Sequence, residues 1–144
     1  RIGVDPDFLI EGIHQNIKEF ALPNKLFRHH GGGIEHLTMV PATINEMLMQ
    51  SYEGVIRLFP CWNKTEDASF ENLRADGAFL VSASLEMEKI SSLRIKSLKG
   101  RKCTVECEEI RSVISKADNK EISFKKTGNT VSFETQADAE YVLI

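Results

Sequence analysis

The residues best suited to chemistry stand in one run, His29-His30-Gly31-Gly32-Gly33-Ile34-Glu35-His36. Three imidazoles and a carboxylate surround a backbone that three glycines leave free to reach φ > 0 or to let a ligand approach closely. His30-Gly31-Gly32-Gly33 matches the backbone-donor loop of lipases and esterases, but the Gly-x-Ser-x-Gly elbow those enzymes need is missing. His29, His30, Glu35 and His36 fit none of the usual zinc-ligand spacings, so no metal is expected there. A phosphate cradle would want Lys-Ser/Thr after the last glycine, and Ile34-Glu35 follows instead. The remaining chemistry is glycosidic cleavage, which uses two carboxylates flanking the bond. One carboxylate on a glycine-shaped loop, with imidazoles and backbone donors for hydroxyls, suits half of such a site. The plain alternative is a connecting loop with a solvated Glu35. Candidate site residues are therefore Glu35, His30, Gly32, Gly33 and His36.

The composition narrows the function classes. At 144 residues the chain can bury one good core. A net charge of −3 without a Lys/Arg cluster excludes an electrostatic footprint for nucleic acid. No run approaches the roughly 18 apolar residues of a membrane span. The sequence starts at Arg1 with no signal peptide ahead of it, so a piece of a longer protein is expected. Cys61, Cys103 and Cys107 are too few for a disulfide scaffold. On one strand Cys103 and Cys107 would lie roughly 13 Å apart, too far to bridge, and read as buried thiols on one face. No cofactor is called for.

Two helices must position the run. Asp5-Pro6-Asp7 combines a capping Asp with Pro at the first helical position, and Ile10, Ile13, Ile17 and Phe20 recur at helical spacing. This predicts a helix over residues 6–21, an irregular stretch over 22–37, and a second helix starting near Pro41. Ile44, Met47, Leu48 and Ser51 share one face of that helix, and Gly54 suits a left-handed cap. Beyond Gly54 the period becomes two. Val55–Phe59 reads as a central strand. Phe79, Val81, Ala83, Leu85 and Met87 alternate with polar residues as a half-buried strand. Further strands are expected at 93–97, 103–107, 110–114, 122–124, 131–133 and 141–143. Thr127-Gly128-Asn129 should close a hairpin between Phe124 and Val131. Short strands at roughly 8–12-residue spacing predict an antiparallel two-sheet, jelly-roll-like β-sandwich behind N-terminal helices. Trp62, Phe70 and Tyr141 are the strand region's candidates for exposed aromatics.

The run Ile44-Asn45-Glu46-Met47-Leu48-Met49-Gln50-Ser51-Tyr52-Glu53-Gly54-Val55-Ile56-Arg57-Leu58-Phe59-Pro60 resembles a signature of glycoside hydrolase family 95, the bacterial α-L-fucosidases and α-L-galactosidases. The family pattern is Ile-x-Glu-Met-Leu-Leu-Gln-Ser-x-Glu-Gly-x-Ile-x-Leu-Leu-Pro, at the junction of catalytic and C-terminal domains. The likeness continues through Leu73-Arg74-Ala75-Asp76-Gly77-Ala78-Phe79-Leu80-Val81, similar to the family's Leu-x-Ala-Arg-Gly-Gly-Phe-x-Val. It implies a large inverting enzyme with an (α/α)6 toroid. Residues 1–53 would be its last helices and 54–144 the C-terminal β-sandwich. The family's catalytic Asp lies in an Asp-Gly-Asn-Phe-Gly segment just before the shared helix. Counting back without gaps from Ile44 sets Glu35 at that Asp, within Glu35-His36-Leu37-Thr38-Met39, so only the carboxylate is shared. The resemblance implies a glycan substrate for the full-length parent; the charge calls for no nucleic-acid partner, and the sequence leaves the compartment open, with periplasmic or extracellular favoured over cytoplasmic. The chain alone is expected to be inactive and prone to self-association. A non-catalytic structural or carbohydrate-binding sandwich is the alternative.

Overall fold

The computed structural model describes residues 3–24, 26–28 and 34–144, and at 34–37 the backbone only. Helix α1 (Pro6–Phe20) starts where the sequence predicts. Asp5 Oδ1 accepts from the N–H groups of Asp7 (2.9 Å) and Phe8 (3.1 Å), satisfying donors that the first turn leaves unpaired. Its apolar stripe is under-covered. No residue of α1 is buried, and Phe8 stands 72% exposed.

Helix α2 (Ile34–Leu48) departs from expectation at both ends. It begins at Ile34, ahead of the predicted start, so Pro41 sits inside it, where the missing N–H costs a helical hydrogen bond. It ends before Gln50 and Ser51 because Met49–Gln50 leave as strand β1 and pair with Leu58 and Arg57. The carbonyls of Met47 and Leu48, orphaned at the helix end, accept from Cys61 N (3.3 Å) and Phe59 N (2.7 Å). The helix is thus closed by a neighbouring segment of chain, which no local signal announces. Met47 and Leu48 are buried, and Ile44 packs on the core. A 3-10 turn, Tyr52–Gly54, follows, with Gly54 left-handed at φ 73 as its residue type predicts.

The remaining strands are β2 (Ile56–Leu58), β3 (Ala68–Ala75), β4 (Phe79–Glu86), β5 (Lys89–Ser97), β6 (Cys103–Glu106), β7 (Val113–Ser115), β8 (Phe124–Thr127), β9 (Thr130–Phe133) and β10 (Glu140–Leu143). They form two five-stranded sheets, ordered β1-β2-β6-β9-β8 and β3-β4-β5-β10-β7. One pairing departs from the antiparallel expectation: β2 runs parallel to β6, setting Ile56 beside Val105 and Arg57 beside Glu106. The long excursion through β3, β4 and β5 makes a parallel return possible. The two inner faces share one core, in which Val81, Ile95, Val105, Val113 and Val131 are fully buried. Phe133 of one sheet meets Tyr141 of the other edge-on, ring centroids 5.4 Å apart.

The alternation read on β4 holds for Phe79, Val81, Ala83 and Leu85, all buried, and fails at Met87. Met87 is 84% exposed because the chain turns there: Met87 and Glu88 have φ of 48 and 68 and join β4 to β5. Phe124, on the edge strand β8, is half-buried against the core. The predicted hairpin is present, with Thr127 opposite Thr130 and Gly128 at φ 60 in the two-residue loop. Strand β3 was not anticipated. A bulge between Phe70 and Leu73, with Asn72 at φ 56, breaks the period of two by which strands are recognised. The sheet edges are guarded against further pairing: β1 has two residues, β3 is bulged, and β8 carries Lys125 and Lys126.

The β4–β5 turn yields a prediction. Two left-handed residues in a two-residue loop favour Asn-Gly, and Met87-Glu88 adopt that backbone at a steric cost. Replacing Met87-Glu88 by Asn-Gly should stabilise the chain by about 1 kcal/mol and raise Tm by about 3 °C in a thermal melt. A lowered Tm would show that Met87 or Glu88 makes a compensating contact.

Candidate active site

The structure places Glu35 and His36 as the second and third residues of α2, on a helix rather than the irregular loop expected. Their side chains, and the whole of His29, His30, Gly31, Gly32 and Gly33, lie outside the described residues. At its other end α2 is anchored in the sandwich through Leu48, with Ile44 packed on the same core. The helix therefore links the candidate carboxylate to the β-domain over a rise of about 1.5 Å per residue.

A second cluster of charge lies in the sandwich and was not singled out in the sequence. A cleft of about 380 Å³ opens between the sheets beside Arg57, Lys64, Glu88, Glu106 and Glu109. Arg57, Glu106 and Glu109 are each paired within it. Arg57 Nε stands 3.2 Å from Glu106 Oε2, Asn129 Nδ2 donates to Glu106 Oε1 at 3.0 Å, and Cys107 Sγ donates to Glu109 Oε2 at 3.2 Å. Such internal pairing is structural chemistry rather than a vacant site. Among the described residues no group of three or more His, Cys, Asp or Glu is arranged to hold a metal ion.

The aromatic candidates for sugar stacking are not on the surface. Phe70 and Tyr141 are buried, and Trp62 is half-buried against the core with its Nε1 donating to Glu66 O at 3.0 Å. Core packing takes Phe70 and Tyr141 because their side chains point between the sheets, and Trp62 lies against that core from the turn after β2. Among the described residues the one exposed aromatic is Phe8, on α1.

Cys103 and Cys107 are free, buried thiols, as their spacing predicts. Burial pushes the Cys103 thiol up to about 12. Cys107 is pushed up to about 11, chiefly by burial and then by its hydrogen bond to Glu109. Both keep their proton in the folded chain above the 9.0 at which an unperturbed thiol loses it. The stability they confer is whole below about pH 9 and falls as pH rises towards 11–12. Urea midpoints should therefore drop between about pH 8.5 and 10.5, and less steeply in Cys103→Ala. An equal slope in that variant would refute the assignment.

These features define a class: a two-sheet β-sandwich domain entered through a helical segment. The chain belongs to glycoside hydrolase family 95, whose C-terminal domain model matches residues 50–143. Strands β2 to β10 lie inside that match, and both helices lie ahead of it. No curated protein matches the chain. No described helix is long and apolar enough to cross a membrane.

Proposed function

We propose that this chain is the C-terminal part of a bacterial inverting glycoside hydrolase of fucosidase type, exported to the periplasm or beyond. In this reading residues 1–53 are the closing helices of an (α/α)6 toroid and 54–144 the sandwich that buttresses it. Glu35 acts as general base, drawing a proton from the water that attacks the anomeric carbon. His30 and His36 hold sugar hydroxyls or orient the carboxylate, and Gly32 and Gly33 let the backbone pass close to the sugar. The general acid comes from upstream in the parent. The observation that carries the reading is the family match beginning at residue 50, directly behind a helix that starts one residue before Glu35.

Two features support the helical assignment. α1 buries none of its residues, as suits a helix that packs on further helices. Exposed aromatic faces, which carry much of sugar recognition, are lacking on the described sandwich, and this disfavours an independent carbohydrate-binding module.

The chain by itself should turn over no glycoside, because two helices cannot close the toroid and one carboxylate cannot be both acid and base. It should also self-associate through the half-covered stripe of α1 and the exposed Phe8 beside it. Assay with aryl α-L-fucosides and light scattering at several concentrations test both. Turnover by the purified chain would overturn the proposed division of the site, and a strict monomer would overturn the association.

A further inference from the structure

We propose that Arg57 is a latch that fixes the stance of α2 on the sandwich. Its guanidinium holds the turn that follows that helix and β1. Nη1 donates to the carbonyls of Tyr52 (3.2 Å) and Val55 (3.4 Å), and Cζ lies 4.4 Å from the centre of the Tyr52 ring. On the other side Nε meets Glu106 of β6 at 3.2 Å, and Glu106 is held in turn by Asn129 next to β9. The parallel pairing of β2 with β6 is what sets Arg57 beside Glu106.

The element so held is weak by itself. β1 has two residues, and Glu53 sits in the left-handed region at φ 57, a strain that persists only when its surroundings over-determine it. The Arg57 side chain is 23% exposed, so its contacts are less screened than those of a surface pair. A planar fork with five donors can bond two carbonyls and a carboxylate while stacking on a ring; an ammonium cannot. This inference stands apart from the proposed glycosidase reading and needs no substrate.

Amide hydrogen exchange on the full chain tests it. Arg57→Lys keeps the charge but not the fork, and Glu106→Gln keeps the shape but not the charge. In both, the amides of Val55, Phe59 and Cys61 should lose protection by about tenfold or more, while those of β4 and β5 change less than about twofold. Arg57→Met should show the larger loss at the same amides; if it does not fold, the two milder variants decide. Unchanged protection at Val55, Phe59 and Cys61 would overturn the latch. So would an equal loss across β4 and β5, which would make Arg57 a contributor to global stability only.

Discussion

Val81→Asp is expected to leave the chain unfolded or insoluble. Val81 is fully buried at the centre of β4, opposite Leu73 of β3 and Ile95 of β5. Burying an unpaired carboxylate there costs several kcal/mol, against a total stability of about 5–15 kcal/mol for a typical domain. The loss of valine contacts adds to that. Lys96→Gln, on the exposed face of the neighbouring strand and opposite Glu140 of β10, should by contrast change stability by less than about 0.5 kcal/mol. Soluble yield and a circular-dichroism melt distinguish the outcomes. A soluble, cooperatively melting Val81→Asp protein would refute the inward placement of that face.

The same strand shows what the sequence can and cannot reveal. Phe79, Val81, Ala83 and Leu85 were legible because a strand with one buried face must alternate, and the pattern failed only where the chain turned at Met87. α1 and the Gly128-Asn129 hairpin were equally plain, since capping by Asp5 and a left-handed glycine are local chemistry. β3 was hidden by its bulge, which brings Phe70 and Leu73 to a spacing of three. The bounds of α2 were hidden for a different reason. Its end is decided by pairing with β2 and by donors at Phe59 and Cys61, and those contacts form only in the folded chain. The Arg57 cluster was likewise beyond reach, because a parallel crossover joins Arg57 to a carboxylate on β6. For the candidate site, residue types suggested a carboxylate with imidazoles, whereas its helical setting came from the structure.

The most direct measurement is kcat/KM of Glu35→Gln in the intact parent, with an aryl α-L-fucoside or the glycoside it proves to prefer. Glutamine matches glutamate in shape but cannot take a proton from water, so it removes the base and little else. Loss of a general base costs about 10²–10⁴-fold. The proposed assignment predicts a fall in that range with an unchanged melting profile. It also predicts that the upstream acid stands about 6.5–9.5 Å from Glu35, the gap that admits a water in an inverting pair. A solvated carboxylate with no part in the reaction would leave turnover alone. A fall smaller than about tenfold would therefore contradict the account and remove Glu35 from the chemistry.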